Sequence, residues 1–185
     1  MKHVLFTLMS AFLFFSAVAA KPQTIGKEAH LSQQQKTTTT ESPSSQTIID
    51  KVDKAAEIVT REGEASFPKF RAKGNEFIFS GTYVWVQSLE GKMLMHPISP
   101  ELEGRDIFYL RDVNGKMFII EMNKIVLKQG HGWVQYLWPK PGEQAPSLKV
   151  SYVRLAKHNN KTYIVGCGIY DMPIEDIKKI QENNE

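Results

Sequence analysis

The sequence predicts an α+β domain in which one antiparallel sheet of about five strands carries a long N-terminal helix across one face. Three observations lead there. Apolar residues recur at helical spacing from Ile48 to Val59; runs rich in Val, Ile, Phe, Tyr and Trp, separated by Gly, Pro and Asn turns, fill much of the rest; and residues 21 to 45 hold almost nothing apolar to bury. Strands that neighbour in sequence usually pair in space, and one sheet covered by a helix on one face and loops on the other is the economical arrangement of such elements.

The first 20 residues read as a secretory signal peptide. Lys2 precedes an apolar run from Val4 to Phe15, and Ser16-Ala17-Val18-Ala19-Ala20 supplies the small residues of a cleavage site. The run is shorter than the roughly 18 apolar residues that span a bilayer, which argues against a retained anchor. The mature chain is expected to begin near Lys21 and to be soluble, secreted or periplasmic. Residues 21 to 45, with Gln33-Gln34-Gln35, Thr37 to Thr40 and Ser42-Pro43-Ser44-Ser45, read as a disordered linker, because such a composition cannot offset the entropy of ordering. The folded domain is then residues 46 to 185.

From Thr47, Ile48, Val52, Ala55 and Val59 recur at steps of four, three and four, giving a helix with a broad apolar stripe. Packing on its own domain is the expected use of that stripe; pairing with a second copy as a homodimer is the alternative. Gly63 ends or bends the helix, and a short helical turn is placed past Pro68. Phe77 to Leu89 reads as a strand, and Glu90-Gly91-Lys92 turns into a second one through Met93 and Met95. A loop through His96-Pro97 and Asp112-Val113-Asn114-Gly115 leads to a helix ending near Gly130, with Phe118, Met122, Ile125 and Gln129 along one side. Strands at 132–138, 148–155 and 162–170 follow, joined by Pro141-Gly142 and Asn159-Asn160 turns, and a helix from Ile174 to Ile180 closes the chain.

Charge and cysteine content exclude several classes. Removing Lys2 lowers the formal net charge of +3 by one, and the calculated pI of 8.9 is accompanied by no dense Lys/Arg run, so no nucleic-acid partner is expected. Cys167 is the only cysteine, which leaves no internal disulfide; flanked by Gly166 and Gly168 in an apolar strand, it reads as a small buried residue rather than a reactive thiol. There is no G-x-S-x-G, H-E-x-x-H, P-loop or dinucleotide fingerprint, and His96, His131 and His158 lie in separate segments. A non-catalytic protein without cofactor or metal is therefore expected, with a hydrolytic enzyme the less favoured reading.

One segment points to a site. Alternation along Tyr136-Leu-Trp-Pro-Lys140 sends Tyr136, Trp138 and Lys140 to one face, where a cation, a hydroxyl donor and an apolar wall suit a small anion. An edge strand ending in a Pro-flanked turn, with Lys140 solvated, accounts for the same residues. His96 precedes Pro97 and is held extended, on the face of Leu94. Trp85 shares a strand face with Tyr83, Phe77 and Phe79, which core packing explains. Tyr152 lies in line with Val150 and offers a hydroxyl, and Arg111-Asp112 reads as a surface pair or a holder of the loop.

Seven segments in register carry a family likeness: Tyr83–Val86, Gly91–Pro97, Leu102–Arg105, Asp112–Lys116, Gly132–Pro141, Lys149–Val153 and Gly166–Tyr170. Over roughly Thr47 to Asp171 the sequence resembles the single Cache sensor domain. The resemblance implies a PAS-like antiparallel sheet behind the long helix, and an extracytoplasmic pocket for a small metabolite, often a short carboxylate. It raises His96 to a pocket-edge candidate and Trp85 and Tyr152 to wall candidates beside Lys140, Tyr136 and Trp138. It also implies a signalling partner such as a membrane receptor or sensor kinase. The competing class is an envelope interaction module, which would present an exposed aromatic face in place of an enclosed pocket.

Overall fold

A computed structural model describes residues 42–182; the expected signal peptide and residues 21–41 of the expected linker lie outside them. Helix α1 runs Ser45–Glu62, beginning within the residues expected as linker, because Ser44 caps it: the Ser44 hydroxyl accepts from the Thr47 amide at 3.1 Å. Its stripe of Ile48, Val52, Ala55, Ala56 and Val59 is buried. Each fully buried Ile or Val contributes roughly 1.5–3 kcal/mol, so the stripe, not helix propensity, fixes α1 in place. The helix stops at Gly63, where φ is +58° and a Cβ would meet the His158 ring at 2.5 Å. A 3-10 turn, Gly63–Ser66, leads into the short helix α2, Phe67–Arg71.

The expected single strand at Phe77–Leu89 is instead three pieces, β1 (Ile78–Phe79), β2 (Thr82–Tyr83) and β3 (Trp85–Ser88). Ser80 and Gly81 have φ of +42° and +73°, the double positive φ that a two-residue hairpin requires, and β1 folds back on β2 with Ile78 opposite Tyr83. The turn separates what parity had joined: Phe77 joins the core beneath α1, whereas Tyr83 and Trp85 join the core on the other face.

Strand β4 (Met93–Met95), a 3-10 turn (Pro100–Leu102), helix α3 (Phe118–Gln129), strands β5 (His131–Pro139), β6 (Pro146–His158) and β7 (Lys161–Tyr170), and helix α4 (Ile174–Glu182) complete the chain. The five-stranded antiparallel sheet has the order β4-β3-β7-β6-β5. This is the α+β, PAS-like architecture expected from the sequence. The sheet separates two cores. Beneath α1 lie Val150, Tyr152, Val165, Cys167 and Ile169; on the opposite face α3 packs Phe118, Ile119, Met122 and Val126 against Val134, Tyr136, Val153 and Ile164. The buried side of α3 includes Asn123 and Val126, while Ile125 is half-buried and Gln129 exposed, so its stripe is rotated from the expected one. Among the described residues no helix is long and apolar enough to cross a membrane.

Candidate functional site

The second core encloses a cavity. Its floor is the five-stranded sheet, contributing Trp85 and Met93 from the first half and Tyr136, Trp138 and Lys149 from the second, with Tyr83 of β2 beside it; its roof is the segment after β4, with His96, Leu102, Ile107 and Leu110, and the start of α3. The space open to the centre of a water molecule is about 20 Å³, room for a few heavy atoms and not for a drug-sized guest.

Lys149 is the cation of this cavity. It is 1% exposed, and no carboxylate among the described residues forms an ion pair with it. Its Nζ donates to the Tyr83 hydroxyl at 3.2 Å and lies 4.3, 4.7 and 5.2 Å from the ring centroids of Tyr83, Tyr170 and Trp85. Three aromatic faces compensate part of the lost hydration. Two glycines of β7 make the arrangement possible. A Cβ on Gly168 would lie 2.6 Å from Lys149 Cε, and one on Gly166 would lie 2.4 Å from the Trp85 ring, so both side chains rest flat on bare backbone. Between them Cys167 faces the other core, buried, its thiol pushed up to about 11 by burial.

His96 is 3% exposed. Its Nδ1 accepts from the Ser99 amide at 2.8 Å, so the neutral ring carries its proton on Nε2. Burial, and then the charge of Lys149, push its pKa down to about 3, and the ring is a neutral donor at ordinary pH. Its backbone N–H donates to Glu103 at 2.8 Å, and Glu103 also receives Arg71 at 2.6 Å, tying the roof to α2. Tyr136 stacks on Phe118 at 4.2 Å and 7°, and its hydroxyl shares a 3.0 Å hydrogen bond with Ser151; burial holds that phenol neutral. Trp138 meets Phe118 edge-on at 5.8 Å.

Of the six candidates read from the sequence, His96, Trp85, Tyr136 and Trp138 are brought together around this cavity. Lys140 is placed outside it. β5 ends at Pro139, so the alternation does not extend to Lys140, whose ammonium pairs with Asp171; that hydrogen bond, more than anything else, raises its pKa. It borders an outer cleft of about 520 Å³ with Ser99, Glu101 and Glu143. Tyr152 faces the opposite core, 5.2 Å from Trp133 and 5.6 Å from His131, because on β6 it alternates with Lys149, Ser151 and Val153. Asp112 does not pair with Arg111. It accepts from the Asn114 and Lys116 amides at 2.9 Å and from the Leu137 amide at 3.1 Å, fastening the roof to β5 between Tyr136 and Trp138. Lys149 escapes sequence reasoning because a lysine in a strand reads as solvated; the available signal is its register opposite the glycine-bearing stretch of β7.

The family described as Single Cache domain 2 has a model that matches residues 27–183. The chain belongs to the single Cache domain family. Among solved structures, a Cache chemosensory domain described in terms of carboxylic acid recognition superposes with a TM-score of 0.57 at 30% identity, covering 69% of this chain and 93% of the other. A periplasmic sensor domain of a chemotaxis protein gives a TM-score of 0.52 at 34% identity, with 67% and 88% covered. A methyl-accepting chemotaxis protein from Vibrio parahaemolyticus shares the fold at 22% identity and a TM-score of 0.56, over 71% of this chain and 89% of the other. The methyl-accepting chemotaxis protein McpP of Pseudomonas putida is 38% identical over 96 residues, which is 52% of this chain and 17% of that receptor. This Cache domain thus aligns with about a sixth of the receptor's length.

Proposed function

We propose that this Cache domain is an extracytoplasmic sensor module that binds a short monocarboxylate without transforming it, the carboxylate meeting Lys149 Nζ. The observation that carries the reading is a buried lysine with no anionic partner among the described residues, at the wall of a small apolar cavity. A buried unpaired charge costs several kcal/mol, and an incoming carboxylate supplies the missing partner with a charge-assisted bond about twice as strong as a neutral one. The neutral His96 Nε2–H supplies a second donor, and Trp85, Tyr136 and Trp138 enclose the short tail. Support comes also from the Cache chemosensory domain at 30% identity, described by its recognition of carboxylic acids. An output partner such as a membrane receptor or sensor kinase, and pairing of two copies through the outer face of α1, its apolar stripe being buried in the domain's own core, are part of the proposal.

Calorimetry against acetate, propionate, lactate, pyruvate and amino acids tests the ligand class. Lys149→Met should weaken a bound acid by roughly ten- to a hundredfold, the equivalent of about 1.5–3 kcal/mol. Lys140→Ala should leave affinity within about threefold, a change of well under 1.4 kcal/mol. A folded Lys149→Met domain that binds the acid unchanged, with Lys140→Ala the damaging variant, would move the site to the outer cleft.

A further inference from the structure

We infer that Leu102 is the gate of the inner cavity, setting how fast a small acid enters and leaves and how long a tail is admitted; this rests on the carboxylate reading above. Tyr83, Leu102 and Trp138 each border both the inner cavity and the outer cleft, so the partition between the two spaces is built from these three side chains. Two of them are fixed. Tyr83 is buried, bonded to Lys149 and packed 4.8 Å from the His96 ring; Trp138 is held edge-on against Phe118.

Leu102 differs from both. Half-buried like Trp138, it has neither the side-chain hydrogen bond that holds Tyr83 nor the ring contacts with Phe118 and Tyr136 that hold Trp138, and it ends the three-residue 3-10 turn Pro100–Leu102 with open space on two sides. A side chain with voids on two sides gives up few dispersion contacts when it changes rotamer. The backbone around it is pinned, since Glu103 holds the His96 amide and Arg71, and Ser99 donates to His96 Nδ1. Rotation of Leu102, not lifting of the roof, therefore opens the path from the outer cleft to Lys149.

Stopped-flow tryptophan fluorescence with propionate reads the gate, because Trp85 and Trp138 line the cavity. Leu102→Ala should raise the association and dissociation rate constants together, each by about tenfold, with Kd changed less than about threefold, and should admit longer acids such as pentanoate. Leu102→Phe should slow both. Faster dissociation with an unchanged association rate would make Leu102 a mere wall contact and overturn the gate, as would unchanged rates. A ligand-independent arm separates this from the carboxylate reading: in a Trp133→Phe background, Leu102→Ala should raise acrylamide quenching of the remaining tryptophans. If propionate fails to bind the unsubstituted domain, the carboxylate reading falls and the quenching arm decides the gate alone. Unchanged quenching overturns it.

Discussion

Lys149 and Gly168 sit on adjacent strands with the lysine stem laid over the glycine, so close that a single methyl group at position 168 would come within 2.6 Å of Lys149 Cε and 2.5 Å of Ser151 Oγ. Gly168→Ala should therefore displace the lysine and disturb the Tyr136–Ser151 hydrogen bond while leaving the ladder between β6 and β7 intact. Propionate affinity measured by calorimetry should fall by about tenfold or more, with overpacking costing roughly 1–3 kcal/mol in a urea melt.

Lys149→Met should separate binding from stability. Methionine keeps the length of the stem and removes a buried charge that has no ion-pair partner among the described residues. The urea midpoint of the ligand-free domain should hold or rise, by up to about 1–4 kcal/mol in unfolding free energy, even as acid binding is lost. A sharp loss of stability would show that the cation–aromatic contacts outweigh the burial cost.

Stability should depend on acid through His96. Its folded-state pKa is depressed from 6.5 to about 3, so between these values the unfolded chain holds a proton that the folded one does not. Stability is then full above about pH 6.5 and declines as pH falls towards 3, with a slope approaching about 1.4 kcal/mol per pH unit from this group. Lys149, Tyr83 and the Glu103 carboxylate beneath the backbone amide surround the ring, and only the lysine is a charge that opposes protonation. Denaturant melts from pH 7 to 4 check this; His96→Gln should flatten the dependence.

Asp112→Ala should loosen the roof. Burial works to raise this carboxyl, and the amides of Lys116, Leu137 and Asn114 overcome it, holding the group below the usual carboxylate range. Removing the acceptor leaves three amides without it, at a cost of about 1–3 kcal/mol. Hydrogen exchange at Asn114, Lys116 and Leu137 should accelerate while β7 stays protected.

What the sequence shows and what it hides follow from range. The α1 stripe is legible because every contact that defines it is periodic in the local sequence. The Ser80-Gly81 turn is hidden because it sits inside the thirteen-residue stretch Phe77–Leu89, rich in Phe, Tyr, Trp and Val, and its signature is a backbone angle. Strand parity correctly pairs Tyr152 with Val150, yet parity cannot say which face of the sheet holds the cavity. Tyr136 and Trp138 needed only alternation along β5; Lys140 needed the knowledge that β5 stops at Pro139. Lys149 needed the most, since the rings that make its burial tolerable arrive from Tyr83, Trp85 and Tyr170, each on another strand.

On β5, Gln135 and Tyr136 are neighbours that face opposite ways. Tyr136 belongs to the cavity, while the Gln135 side-chain carbonyl accepts the amide of Ile174 at 2.9 Å, at the first residue of α4. One stretch of backbone is therefore both the wall of the chamber and the cradle of the closing helix. A lateral creep of that stretch by half an ångström would be felt on both sides at once, as a rocker transmits the same tilt to either end.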